Sequence, residues 1–154
     1  MFGLVPVYSV DGITDVTKWN YVPHKEYKLE GKIEQNLNAN GYRLPTEEEW
    51  NYAAEGGEGF IYAGSNNIDE VAWCKENSNF KTHEVGKKKA NGYGLFDMNG
   101  NVCEWCWDHY YGDYDRCYLG GSWDRKRLFI SDYYHGYAEY GKNYVGFRIV
   151  CSDQ

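Results

Sequence analysis

Gly120-Gly121-Ser122-Trp123 and Gly146-Phe147-Arg148-Ile149-Val150 bracket the stretch on which the reading of this chain turns. Each bracket is a glycine-marked strand signal. The segment between them, Asp124 to Val145, patterns as neither helix nor strand. It holds Tyr133, Tyr134, Tyr137, Tyr140 and Tyr144, interleaved with Asp132, His135, Gly136, Glu139, Gly141, Lys142 and Asn143. Tyrosine among small and charged neighbours is the chemistry of an adaptable contact surface. The ring offers a large area at low rotamer cost, and the hydroxyl both donates and accepts. Gly, Asp, Lys and Asn cannot line a dry core, so these tyrosines are expected to be exposed. Binding is the first expectation.

Working outward, the size and composition bound the rest. A chain of 154 residues with 42% apolar residues reads as one globular domain, residues 1–154. Aromatics reach 18%, and 18 glycines against 3 prolines imply many turns. The net charge of −7 excludes a nucleic-acid backbone as the main partner, since that binding needs a positive footprint. The one basic run, Lys87-Lys88-Lys89, reads as a solvated loop. No apolar run reaches the ~20 residues of a membrane span, and the start has no signal-peptide pattern. Five cysteines are an odd count, which leans away from a disulfide framework and toward a reducing compartment. Cytoplasmic is the default expectation.

The clearest local signal is Leu44-Pro45-Thr46-Glu47-Glu48-Glu49-Trp50. Thr46 can cap a helix and Glu49 can close a capping box, with three acids in the first turn. Trp50, Ala53 and Ala54 follow at helical spacing and Gly56-Gly57 stops the run, which predicts a helix over 47–55. Residues 4–10 read as extended, with a turn at Asp11-Gly12. Strands are expected near 102–107, 120–123 and 146–151. Trp105, Trp107 and Trp123 read as core anchors. Tyr110, Tyr111 and Tyr114 either join the exposed aromatic surface or pack beneath it.

Several motifs now stand in order. They are Gly41-Tyr42-Arg43-Leu44-Pro45-Thr46-Glu47-Glu48-Glu49-Trp50-Asn51-Tyr52-Ala53-Ala54, Asn91-Gly92-Tyr93-Gly94-Leu95-Phe96-Asp97-Met98 and Gly100-Asn101-Val102-Cys103-Glu104-Trp105. Gly120-Gly121-Ser122-Trp123 and Gly146-Phe147-Arg148 complete the series. It resembles the formylglycine-generating enzyme, or sulfatase-modifying factor, family over roughly Gly41 to Val150. The resemblance implies an α+β, C-type-lectin-like fold, loop-rich, with small antiparallel sheets and few short helices. It also implies that the family's usual N-terminal portion is missing here. Either this is a minimal version, or a partner chain or self-association covers what is absent.

The family's enzymes oxidise a cysteine of unfolded sulfatases through a cysteine pair that holds copper. The matching positions here are Arg125 and Ile130. Neither supplies the thiolate that soft Cu(I) wants, so no copper is expected. Within the family the chain looks like the non-catalytic variable proteins of diversity-generating retroelements, which display the segment between Gly-Gly-Ser-Trp and Gly-Phe-Arg. That likeness implies a ligand surface of Trp123, Asp124, Arg125, Lys126, Arg127, Phe129, Asp132, Tyr133, Tyr134, His135, Tyr137, Glu139, Tyr140, Asn143 and Tyr144, with a protein as ligand. The family's calcium site falls on Asp97 and Glu104 by side chain and on Gly100 and Val102 by carbonyl. Oxygen ligands in a glycine turn suit calcium. The alternative is a turn whose Asn and Asp side chains cap local backbone. Arg148 is expected to be a hydrogen-bonded, partly buried guanidinium. Cys103 and Cys106, three apart on a strand, would point to opposite faces and could not share an ion. Three rival functions stay open: an oxidase with unusual ligands, a calcium-dependent lectin, and a structural subunit whose tyrosines a partner buries.

Overall fold

The computed structural model describes residues 3–19, 31–112, 115–126, 128–129, 132–137 and 141–151. They fall into two compact units, one of residues 1–44 with 149–154 and one of residues 45–148.

In the first unit, β1 (Tyr8–Val10) pairs antiparallel with β2 (Ile33–Gln35), with Tyr8 opposite Gln35. The expected turn at Asp11-Gly12 follows β1. Both residues have positive φ, 49° and 77°. A 3-10 turn at Val16–Lys18 is capped by the Asp15 carboxylate. β3 (Tyr42–Arg43) pairs antiparallel with β8 (Val150–Cys151), and the Tyr8 hydroxyl accepts from the Leu44 N–H at 2.7 Å.

The second unit begins with α1 (Glu47–Glu55), the helix expected from the sequence. The reciprocal Thr46–Glu49 capping box is formed, and Gly56 ends the helix in the left-handed region at φ 62°. Asn91 Nδ2 donates to the carbonyls of Ala53 and Ala54, satisfying acceptors that the last turn leaves open. A single-turn helix, α2 (Ile68–Val71), is capped by Asn67. A four-stranded sheet follows in the order β6-β5-β4-β7, built from β4 (Cys103–His109), β5 (Asp115–Leu119), β6 (Tyr133–Tyr137) and β7 (Val145–Gly146). Its first three strands are antiparallel neighbours, and β7 runs parallel to β4.

Alternation gives this sheet two faces. Glu104, Cys106 and Asp108 of β4 point toward α1, as do Cys117 and Leu119 of β5. There they close a core with Trp50, Ala54, Ala63 and Met98. A second cluster, Val71, Ala72, Cys74 and Leu128, lies beside α2. Trp105, Trp107 and Tyr118 take the other face.

Three expectations need correction. Gly120-Gly121-Ser122-Trp123 is not a strand. It is the turn that ends β5, with φ of 89° and 70° at its two glycines. A Cβ on Gly120 would stand 2.9 Å from the Trp50 ring, and one on Gly121 2.2 Å from Leu128, so packing leaves room for glycine alone. The 146–151 segment is two short strands, and Phe147 and Ile149 between them are exposed. Finally, the 124–145 segment contains a regular strand, β6.

Candidate functional site

The expected ligand surface is built on β6, the edge strand of the sheet, and on the turn before it. The register sets Leu119 opposite Tyr133, Tyr118 opposite Tyr134, Cys117 opposite His135 and Asp115 opposite Tyr137. A strand cannot present all its side chains to one side, so the tyrosines divide. Tyr133, His135 and Tyr137 stand on the α1 face, and Tyr134 stands on the other.

On the α1 face His135 Nδ1 donates to Asp115 Oδ2 at 2.8 Å. Because a carboxylate only accepts, this bond places a ring proton on Nδ1. The Tyr110 ring stacks on His135 with centroids 4.0 Å apart and lies 5.5 Å from the Tyr133 ring. Tyr110 therefore joins this surface rather than packing beneath it. A groove of about 700 Å³ runs along this face, lined by Glu47, Glu55, Glu58, Phe60, Phe129 and Tyr133. Burial, with Asp108 beside it, pushes the Glu47 carboxyl up from the ordinary range.

The other face carries a row of rings across three strands. Trp105 meets Tyr118 edge-on at 4.9 Å, and Tyr118 stacks on Tyr134 at 5.8 Å. The Arg125 guanidinium lies 5.3 Å above Tyr134. Arg116 covers Trp107 at 3.9 Å. Trp105 and Trp107 are therefore half-buried and dress a sheet face, and the deep anchor is Trp50, 1% exposed.

The remaining expected residues sit as follows. Trp123 is half-buried, and its Nε1 donates to the Asn143 carbonyl at 3.4 Å. Asp124 accepts from the Ser122 hydroxyl at 2.6 Å. Lys126 is exposed. Asp132 and Phe129 close a turn on each other through two bonds of 3.0 Å. Tyr144 is half-buried, and its carbonyl accepts from Cys103 N–H at 2.9 Å. Arg127, Ile130, Glu139 and Tyr140 lie outside the described residues. Tyr133, Tyr134 and Tyr144 are thus half-buried where exposure was expected. Within β6, Tyr137 and His135 are exposed.

Glu104 is buried. Its carboxylate accepts from Trp50 Nε1 at 2.7 Å, from Arg148 Nη2 at 2.8 Å and from Arg148 Nε. The guanidinium supplies the positive charge there, so Glu104 does not fit the calcium role expected of it. Arg148 is the partly buried, hydrogen-bonded group that was expected. Asp97 differs. Its Oδ2 accepts from Gly86 N–H at 2.7 Å, while Oδ1 is buried without a hydrogen-bond partner. Gly100 and Val102 hold the chain between them, with Gly100 N–H donating to the Gly120 carbonyl at 2.8 Å. Among the described residues no three His, Cys, Asp or Glu side chains gather as metal ligands.

The thiols divide in the same way as the faces. Cys103 faces the Ser122, Asp124 and Arg125 side, whereas Cys106 touches Cys117 inside the α1-face core. Burial pushes the Cys103 thiol up to about 11, and contact with Cys117 together with burial pushes Cys106 upward too. The thiolate is the reactive form. We expect iodoacetamide at pH 8 to alkylate the exposed Cys151 in native protein. The four buried cysteines, Cys74, Cys103, Cys106 and Cys117, should react only after denaturation, as intact-mass counting would read. The same shift gives an alkaline limit. Folded Cys103 keeps its proton at a pH where the unfolded thiol, near its ordinary value of 9, has lost it. Its contribution is therefore complete below about pH 9 and is lost as pH climbs through 11. Urea titrations at pH 8 and pH 11 should differ by about 2 kcal/mol from this group alone, and Cys103→Ala should flatten the fall.

These motifs, the small twisted sheet and the capped helix define a class. The chain belongs to the sulfatase-modifying factor enzyme 1-like domain family, which it matches over residues 6–153, and its fold is C-type-lectin-like. It is similar to Treponema denticola variable protein 1, at TM-score 0.78 and 32% identity, over 96% of this chain and 63% of that one. It is 41% identical over 126 residues to the chaperone protein LppX of Paenibacillus barcinonensis, covering 68% of this chain and 44% of that protein. It is 39% identical over 98 residues to the inactive C-alpha-formylglycine-generating enzyme 2 of Bos taurus, covering 54% of this chain and 33% of that protein. The chain thus spans less than half the length of these two curated relatives. Among the described residues no helix is long and apolar enough to cross a membrane.

Proposed function

We propose that this domain is a catalytically silent member of its family that presents β6 and the adjoining turn to a protein ligand. The observation that carries the reading is the edge strand itself. It offers His135 and Tyr137 outward on one face and stacks Tyr134 beneath Arg125 on the other. Tyrosine faces and an oriented imidazole give contact area and hydrogen bonds, and the charged neighbours tune complementarity. Arg125, standing where the family's enzymes carry their first cysteine, is exposed and engaged with Tyr134 and Asp124. It brings no thiolate to that place.

A phage library randomised at Arg125, Lys126, His135 and Tyr137 tests the reading. Selection against several unrelated purified proteins should return folded binders with different residues at these positions. Recovery of only unfolded or non-binding clones would remove it. Sequencing of the locus gives a second check, since a reverse transcriptase and a near-copy of the 3′ coding segment are expected beside the gene.

One observation favours the oxidase rival: Cys106 and Cys117 face each other. Both are fully buried and Cys106 holds its proton, which opposes it. Stoichiometric Cu(I) binding with oxygen consumption and turnover of a thiol peptide would establish the rival. We carry calcium forward at Asp97 alone, because of its unpartnered oxygen. An unchanged Tm at millimolar calcium would withdraw it. Self-association through a covering partner surface is read by sedimentation at varied concentration.

A further inference from the structure

We propose that Trp105, Tyr118 and Tyr144 form an aromatic cage for an alkylammonium group, filled in this state by the chain's own Lys142. The Lys142 ammonium stands 4.8 Å from the Tyr118 centroid, 5.9 Å from Tyr144 and 6.0 Å from Trp105. All three lie within the range over which a cation is drawn to a ring face. Two walls are fixed by strand register, since Trp105 of β4 lies directly opposite Tyr118 of β5, and their planes meet at 79°. The third wall comes from the segment leading into β7, where the Tyr144 carbonyl holds the Cys103 N–H.

Room for the ammonium is built in. A Cβ on Gly136 would come within 2.4 Å of Lys142 Nζ, so the glycine at this point of β6 keeps the cage open. The ammonium donates to the Tyr118 hydroxyl at 3.2 Å, and among the described residues no carboxylate lies within ion-pair distance of it. A primary ammonium held by rings and one phenol gives up much of its water shell for modest return. A quaternary ammonium spreads its charge over methyl groups and is less strongly hydrated, so it suits ring walls better. Trp105, Tyr144 and Lys142 are half-buried, which leaves the mouth at the surface. Lys142 acts as a tethered occupant that an incoming cation must displace. Two of the three walls belong to strands outside the 124–145 segment, so the inference goes beyond the display reading and can fail separately from it.

Calorimetric titration with tetramethylammonium chloride at constant ionic strength tests the cage. Lys142→Ala, checked for an unchanged Tm, should bind at least tenfold more tightly than the wild type. Lys142→Met, which keeps the stem but not the charge, is the second variant should the alanine form lose stability. Tyr144→Ala in the Lys142→Ala background should lower affinity at least tenfold, whereas Tyr118→Phe should preserve it because the ring is kept. The neutral isostere 3,3-dimethyl-1-butanol should not bind. Choline and a trimethyllysine peptide then distinguish a free small molecule from a protein side chain as the source. A folded Lys142→Ala protein that binds no tetramethylammonium overturns the proposal. So does one that binds the neutral isostere equally, or a wild type that binds as tightly as the variant.

Discussion

Glu104→Ala is expected to cost about 3 kcal/mol of stability, because it strands a partly buried guanidinium and leaves a buried indole N–H unpaired. Glu104 is 7% exposed, and Arg148 and Trp50 Nε1 share its two oxygens. Arg148 also donates to the Phe96 carbonyl, so one pair ties the strand β4, the helix α1 and the Gly146-Phe147-Arg148 motif together. Removing the carboxylate leaves the guanidinium without its counter-charge, held only by the Phe96 carbonyl, and the Trp50 indole N–H without its acceptor. Replacing both ends with apolar groups, as in Glu104→Met with Arg148→Met, removes that penalty and should recover a large part of the loss. Urea denaturation of the single and double variants measures the difference. A single variant within 1 kcal/mol of wild type would show that water reaches the pair and the ion pair does not organise this core.

The second large effect is expected at Trp50. The Trp50→Ala change should destabilise by about 3–5 kcal/mol, since it empties the centre of the α1-face core. Trp107→Ala should cost nearer 1 kcal/mol, as expected for a half-buried ring on the other face. The contrast is instructive because β4 displays its tryptophans in the wrong direction for a simple pattern. In Cys103-Glu104-Trp105-Cys106-Trp107-Asp108, it is the glutamate, the second cysteine and the aspartate that face the helix. Each polar member there has a partner. Glu104 has Arg148, and Asp108 Oδ2 accepts the Glu47 N–H at 2.6 Å at the start of α1, where the helix favours negative charge. Equal losses at Trp50 and Trp107 would mean that the helix packs on the other face.

Reading the chain alone was most successful where the determinants were close in sequence. The helix over 47–55 needs only Thr46, Glu49 and Gly56, which act within a few residues of one another. The turn at Asp11-Gly12 is likewise local. Family motifs carried the fold, because five of them stood in order. The reading failed where a partner far along the chain decided the outcome. The Gly120-Gly121 pair looks like a strand start. Trp50 and Leu128 press on it from both sides, and the glycines turn instead. The β6 strand was hidden because both of its faces carry tyrosine, so the two-residue period of a half-buried strand does not show.

The sequence by itself determined the family, the capped helix and the presence of a tyrosine-rich segment. Those are matters of residue identity and of neighbours in the chain. Only the tertiary structure decided which side of β4 is inside, that the tyrosines divide between two faces, and that Glu104 holds Arg148. Each of those depends on side chains brought together across tens of residues, and alternation along a strand says which residues share a face but not which face the core will claim.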